Sequence, residues 1–236
     1  MLITISVLVY AYERVLSRFA RGRRDGTMDS MDMMTIVVVL VVILVSMTLH
    51  EAMHGFMAYW LGDDTAKEQG RLTLNPIHHI DPFLTLILPL SLAVMGLPVF
   101  GGAKPVPFDP DRVRGGEWGA ASVALAGPLT NFVLAFICFG VYAWVAPLPV
   151  LTTAIGVNLG FFVFNMLPIP PLDGSRVMYA LAPEFVRRGM EFIERYGVVL
   201  VFVIVLLASS TIGTIMATAV SAIIRLFAMI FGVSVG

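Results

Sequence analysis

Long apolar runs alternate with short polar stretches along most of the chain. The apolar runs lie at about 33–61, 83–99, 118–146, 150–167, 197–209 and 212–233. A helix needs about 20 apolar residues to cross a bilayer, and the first, third and last runs exceed that length. The pattern therefore predicts a bundle of transmembrane helices.

Two weaker segments favour other structures. The run at 83–99 contains Pro89, Gly96 and Pro98, which favour a re-entrant hairpin over a straight span. Residues 2–12 are apolar but too short to span, and basic residues follow them. We therefore interpret residues 2–12 as an interfacial or partly inserted helix beside anionic lipid headgroups.

The composition agrees with a membrane protein. Hydrophobic residues make up 58% of the 236 residues and charged residues 13%, whereas soluble domains carry about 25% charged residues. With a net charge of −1, nucleic acid is not an expected partner. We predict an all-α polytopic membrane protein, with an N-terminal basic segment at 1–32 and one compact domain at 33–236.

A metal-binding motif, His50-Glu51-Ala52-Met53-His54, lies inside the first long apolar run. Histidines four residues apart fall on one helix face and suit one zinc ion, and the glutamate between them is the usual general base. The alternative is a chance pattern whose histidines bond neighbouring helices. Because such side chains are costly in an apolar helix without partners, the metal interpretation is the stronger one.

A zinc site of this kind needs a third protein ligand, and Asp173 is the best candidate. It follows Pro168, Pro170 and Pro171, which must break the preceding helix, and irregular backbone at membrane depth occurs where it is buried or lines a wet cavity. The alternative is an Asp-Gly turn at a helix end. The neighbouring histidine motif favours the ligand.

Two further histidines, His78 and His79, lie in a polar loop after Asn75-Pro76. They could line a water entrance, bind a second metal, or be structural residues at the interface. The sequence leaves these three roles open.

Three segments together resemble the site-2 protease family of intramembrane zinc metalloproteases. They are the histidine motif, the segment Ala126-Gly127-Pro128-Leu129-Thr130-Asn131, and the segment from Asn165 through Asp173-Gly174. The similarity is to compact prokaryotic members, and the chain contains no PDZ or CBS module. The resemblance implies one Zn²⁺ per chain held by His50, His54 and Asp173, with Glu51 activating the zinc-bound water.

The same resemblance implies that Asn131 and Asn165 are catalytic residues that position substrate or stabilise the oxyanion. A developing oxyanion needs hydrogen-bond donors in a low-dielectric site, and side-chain amides can supply them. The alternative for both amides is hydrogen bonding between membrane helices.

The leading hypothesis is an intramembrane zinc endopeptidase that cuts peptide bonds in or near transmembrane segments of membrane proteins. The alternative is a zinc-binding or zinc-transporting membrane protein without proteolysis, which needs ligands but no base such as Glu51. A small β-hairpin or edge strand at Val99–Val106 is expected to hold an extended peptide near the site.

The expected partners are a transmembrane protein substrate and the lipid bilayer, and homo-oligomers remain open. Basic residues in the loops that flank the site predict that it opens to the cytoplasm. The family resemblance implies a prokaryotic cell membrane and the same orientation.

Overall fold

The computed structural model describes residues 2–4, 33–95 and 100–234, and most of them are helical. The helices are α1 (Met33–Trp60), α2 (Thr65–Glu68), α3 (Leu88–Val94), α4 (Gly116–Trp144), α5 (Pro149–Asn165), α6 (Asp173–Leu181), α7 (Glu184–Glu194) and α8 (Gly197–Phe231). A 3-10 helix spans Pro76–His79, and a π-helix at Pro82–Ile87 leads into α3. Strands β1 (Leu2–Thr4) and β2 (Phe100–Gly102) pair antiparallel.

Three helices of the described chain are long and apolar enough to cross a membrane. The qualifying segments are Val37–Trp60 in α1, Gly116–Trp144 in α4 and Ser210–Phe231 in α8. Their apolar side chains are compatible with the lipid hydrocarbon. A helix also hydrogen-bonds its own backbone N–H and C=O groups, which have no other partners in lipid. The prediction of an all-α polytopic membrane protein is confirmed.

Helix α4 is the centre of the bundle and packs against α1, α5 and α6. Small side chains on its buried face let neighbouring backbones approach closely. These small buried residues include Gly119, Ala120, Ala121, Ala124, Ala126 and Gly127. The metal motif of α1 can therefore lie directly against α4.

Contacts at the helix ends fix the directions of α1, α4 and α8. The Arg114 N–H donates to the Leu61 carbonyl over 2.8 Å, so the end of α1 meets the start of α4. At the other face, Trp144 Nε1 donates to the Phe231 carbonyl over 3.2 Å, so α4 and α8 end together. Helix α5 returns from that face, and it therefore runs in the same direction as α1.

The prediction of separate segments at 197–209 and 212–233 is wrong, because α8 runs without a break from Gly197 to Phe231. Hydroxyl side chains in its middle bond back to the helix instead of ending it. Thr214 donates to the Ser210 carbonyl, and Thr218 donates to the Thr214 carbonyl. Breaking a helix in an apolar setting would leave backbone groups unpaired, which costs more than these residues disfavour the helix.

The segment predicted as a re-entrant hairpin forms the π-helix and α3, which end at Val94. This stretch is shorter than the roughly 20 residues that a span requires. Pro89 is the second residue of α3, but the π-helix continues directly into α3, so the N–H that proline lacks leaves one carbonyl of the preceding turn without a helical bond from this position. Gly96 and Pro98 lie outside the described residues.

Two expectations change where β1 and β2 form. Leu2–Thr4 is a strand, so the helix predicted over 2–12 is wrong at these positions. The rest of that helix and the basic patch lie outside the described residues, and the division at residue 32 stays a prediction. The extended segment expected at Val99–Val106 contains β2, whose partner is β1 and not an adjacent hairpin strand.

Candidate metal centre

Helix α1 presents both motif histidines on one face, one turn apart. The His50 and His54 rings lie 4.7 Å apart between centroids, and His50 is fully buried. Glu51, the next residue along the helix, is also buried. The histidine motif therefore lies inside the bundle, against α4.

Asp173 reaches the histidines as the first residue of α6. Its Oδ2 lies 3.2 Å from His50 Nε2 and 3.6 Å from His54 Nε2. Gly174 makes this approach sterically feasible, because a Cβ there would lie 2.4 Å from the Met166 carbonyl oxygen. The predicted third ligand is thus brought to the other two.

The three side chains fit one metal ion. Their ligand atoms all lie within 4.8 Å of one another. In the described part of the chain, His50 Nε2 and Asp173 Oδ2 are buried without a hydrogen-bond partner, which a cation would supply. Two imidazoles and a carboxylate are a typical ligand set of catalytic zinc, with a fourth position left open.

Gly127 keeps space open beside the histidines. A Cβ at this position of α4 would lie 2.4 Å from His54 Nε2 and 2.6 Å from His50 Nε2. These are the atoms that would bind a metal, so a side chain here would compete with the ion for the same volume. Glycine is the residue type that this packing requires.

Hydrogen bonds to the outer ring nitrogens fix both histidine tautomers. His54 Nδ1 lies 2.8 Å from the Val123 carbonyl, which can only accept, so Nδ1 carries the proton. His50 Nδ1 lies 2.6 Å from Asn131 Oδ1 and donates in the same way. Both Nε2 lone pairs consequently point toward Asp173, as metal ligation requires.

The two predicted catalytic amides occupy different places. Asn131 is fully buried behind His50, and its Nδ2 donates to Asn158 Oδ1 at 2.8 Å. Asn165 lies at the end of α5, where its Nδ2 donates to the Phe161 carbonyl over 2.8 Å. The structure thus brings Asn131 to a zinc-ligand candidate, and the catalytic roles of both residues stay predictions.

A backbone N–H from the loop after β2 holds the Glu51 carboxylate. Val106 N–H donates to Glu51 Oε2 over 3.1 Å. Arg71 secures this loop, since its Nη2 donates to the carbonyls of Lys104 at 2.9 Å and Pro105 at 3.3 Å. The carboxylate is therefore oriented by residues outside α1.

The two loop histidines, His78 and His79, lie outside the metal centre. His79 is fully buried, and its Nε2 donates to the Thr73 carbonyl over 2.9 Å, while His78 is exposed. Over the described residues, one group of metal-ligating side chains is found, and it contains His50, His54 and Asp173. A second metal site at His78 and His79 gains no support.

Most of this chain is similar in sequence to a protein named as a zinc metalloprotease. "Putative zinc metalloprotease YwhC" of Bacillus subtilis (strain 168) is 39% identical over 202 residues, which cover 79% of this chain and 89% of that protein. The chain belongs to peptidase family M50. The resemblance to site-2 proteases, which make up this family, is therefore confirmed.

Other comparisons agree with the M50 assignment. The model of Peptidase family M50 matches residues 143–209. "Putative zinc metalloprotease Rip2" of Mycolicibacterium smegmatis is 34% identical over 175 residues, which cover 69% of this chain and 64% of that protein. No solved structure matches the chain. The family and these relatives support a zinc metalloprotease that is an integral membrane protein.

Several groups that orient the candidate ligands and Glu51 in this M50 chain were not predicted from its sequence. The Val123 carbonyl and the Val106 N–H are backbone groups, which every residue type provides. Arg71 looked like an ordinary loop cation. Asn158 carried a usable signal, because an amide inside an apolar run needs a hydrogen-bonding partner.

Proposed function

We propose that this M50 protein is an intramembrane zinc endopeptidase that hydrolyses peptide bonds in or near transmembrane segments of membrane proteins. The observation that carries the proposal is a group of three candidate zinc ligands with an adjacent glutamate, centred on a helix that is long and apolar enough to span a membrane. His50 and Glu51 lie within the Val37–Trp60 span, and Asp173 closes the ligand set.

The depth of the site supports a substrate inside the bilayer. At about 1.5 Å of rise per residue, His50 lies about 15 Å from the Trp60 end of α1. Gly127 lies about 17 Å from the Gly116 start of α4 by the same measure. Both distances start at the same face of the bundle, and they agree with each other. A hydrocarbon core is about 30 Å thick, so the site would lie near its middle.

The proposed chemistry assigns separate tasks to the ligands and to the base. His50, His54 and Asp173 would hold one Zn²⁺. When bound, zinc supplies Lewis-acid chemistry, which makes water nucleophilic at neutral pH and polarises a peptide carbonyl. Glu51 accepts the proton of the attacking water and returns it to the leaving amine. The Val106 N–H keeps the Glu51 carboxylate in one orientation during both transfers.

A helical substrate must be extended before a peptidase can reach its carbonyls, and β2 is the proposed holding surface. The antiparallel pairing of β2 with β1 supports this role, because it places an extended segment on that strand. The chain continues from β2 to Val106, which contacts Glu51. Gly101 permits close packing, since a Cβ there would lie 2.6 Å from Pro89 Cγ.

We further propose that the site opens to the cytoplasm of a prokaryotic cell. The loops at the Trp60 face carry exposed basic residues such as Lys67 and Arg112, and cytoplasmic loops are rich in such residues. Labelling a cysteine placed at Lys67 from each side of intact membrane vesicles tests this orientation. Labelling only from the membrane side that faces the cell exterior would contradict the cytoplasmic orientation.

The decisive experiment co-expresses single-span membrane proteins with wild type and with Glu51→Gln. We expect cleavage by wild type, loss of cleavage in the variant, and normal bound zinc in both. Glu117→Gln is the matched control, because Glu117 is exposed at the start of α4 and should leave cleavage intact. Cleavage of the same proteins by Glu51→Gln would remove Glu51 as the base. Zinc transport into vesicles without any proteolysis would support the non-proteolytic alternative.

A further inference from the structure

We propose that Asn158 and Ser46 are positioning residues of the metal centre, which orient the Asn131 amide and through it fix the tautomer of His50. The inference rests on the proposed zinc site. It extends that site from three ligands to a buried chain of hydrogen bonds across α1, α4 and α5. Each member of the chain can be oriented by the chemistry of its neighbours.

The chain of hydrogen bonds starts at the backbone carbonyl of Ala154. Asn158 Nδ2 lies 2.8 Å from the Ala154 carbonyl and 2.9 Å from Ser46 Oγ. A carbonyl oxygen only accepts hydrogen bonds, so the nitrogen end of the Asn158 amide must face it. The oxygen end of Asn158 must therefore face the other way, toward Asn131.

The orientation passes from Asn158 to Asn131. Asn131 Nδ2 donates to Asn158 Oδ1 over 2.8 Å and to the Ser46 carbonyl over 3.3 Å. Both acceptors require the nitrogen end of Asn131 on this side. Its oxygen end is left facing His50 Nδ1, at 2.6 Å, and accepts the imidazole proton. Nε2 of His50 is then the unprotonated nitrogen, which can bind a metal.

A reversed Asn131 amide would disable the site. Its NH₂ group would point at His50 Nδ1, which would then have to accept, and the imidazole proton would move to Nε2. That proton would occupy the face that meets Asp173 Oδ2. The reversed amide would also set its oxygen against Asn158 Oδ1 and the Ser46 carbonyl, two acceptors without a proton to share.

Because its members are buried, this chain of hydrogen bonds determines the tautomer of His50. The exposed fractions are 3% for Ser46, 0% for His50 and Asn131, and 2% for Asn158. Bulk water therefore cannot replace a lost partner, and an amide left unsatisfied at such a position is destabilising. Amides that only join helices would stabilise the fold without affecting metal affinity. Zinc affinity is therefore the measurement that separates the two roles.

The test measures zinc affinity of the purified full-length protein by competition with a chelator. Asn158→Leu removes the acceptor for Asn131 Nδ2, and we expect zinc affinity to fall about 10- to 100-fold, as for other supports of metal-binding histidines. Thr153→Val is the matched control, because Thr153 is a buried polar residue of the same helix whose hydroxyl donates to the Pro149 carbonyl. It should bind zinc as wild type does.

Two further variants keep the result independent of general damage to the fold. Asn158→Asp should restore affinity to within about threefold, because burial favours a neutral carboxyl that can donate to Ala154 and accept from Asn131. In an Asn131→Leu background, Asn158→Leu should have no additional effect on zinc affinity, since it acts through Asn131. Additive effects, or normal zinc affinity in a folded Asn158→Leu protein, would overturn the proposal.

Discussion

The N–H of Val106 donates a hydrogen bond to Oε2 of Glu51 over 3.1 Å, joining the loop after β2 to the motif helix. This relationship makes the proposed base dependent on a segment that the motif does not contain. Gly55 permits the contact, because a Cβ on it would lie 3.0 Å from Val106 Cγ1. Any change that moves this loop is therefore expected to affect proton transfer before it affects the ligands.

Arg71→Ala should slow cleavage about 10-fold while bound zinc stays unchanged. The substitution removes the hydrogen bonds that hold the Lys104 and Pro105 carbonyls, worth about 0.5–1.5 kcal/mol each, and so loosens Val106. Cleavage rates and zinc content of the purified variant check this. Arg112→Ala is the control. The Arg112 side chain is half exposed, and its ion pairs with Glu68 and Asp109 lie at the surface, where such pairs contribute little to stability. Equal losses in both variants would contradict a specific role for Arg71.

Gly127→Ala should abolish zinc binding without unfolding the protein. The new methyl group would lie within 2.6 Å of both histidine Nε2 atoms, where the ion must bind. Metal analysis and circular dichroism measure the two effects separately. Gly189→Ala is the control, because a Cβ at that position of α7 would meet no atom within 4 Å apart from its chain neighbours and the backbone of its own helix. Normal zinc content in Gly127→Ala would mean that the ion binds elsewhere.

Asp173→Ala should lower both zinc affinity and cleavage, since two imidazoles alone leave the ion under-coordinated. A chelator should abolish cleavage by wild type, and added zinc should restore it. Asp111→Ala provides the control, as its carboxylate belongs to an exposed residue of the loop before α4. Should Asp173→Ala retain the zinc affinity of wild type, the third ligand must be another residue.

Asp63 should make stability depend on acid pH. Burial opposes its ionisation, but hydrogen bonds from Thr65 and from the Asp109 N–H outweigh that effect and lower the pKa of Asp63. A lowered pKa contributes stability above the unfolded value of about 3.9, and that contribution is lost as pH falls through the folded value. Melting temperatures of wild type and Asp63→Asn between about pH 3 and pH 6 test this. The difference between them should shrink toward pH 3, and a constant difference would contradict it.

The helices and ligands were predictable because an apolar environment restricts what a sequence can contain. Apolar runs long enough to span identified α1 and α4, and ionisable residues within or at the end of apolar runs identified His50 and Asp173. The continuity of α8 was not predictable from residue types. Its Ser and Thr residues favour turns in water, but in a helix they can donate to the preceding turn.

The groups that orient the ligands were harder to foresee. Val123 contributes a carbonyl and Val106 an N–H, and neither depends on the side chain that the sequence records. The pairing of β1 with β2 joins segments far apart in sequence, for which no local pattern exists. The partner of an isolated amide such as Asn158 likewise depends on helix packing.

The depth of His50 has a consequence for the supply of water. Every hydrolysed bond consumes one water molecule, which must travel about 15 Å from the Trp60 face. The three ligands are unequally accessible: the side chains of Asp173 and His54 are 22% and 11% exposed, whereas that of His50 is fully enclosed. Water would thus arrive past the carboxylate and His54. A peptide that filled this passage would block further entry of water, so the water consumed in each turnover would have to be in place before the peptide arrives or enter by another route.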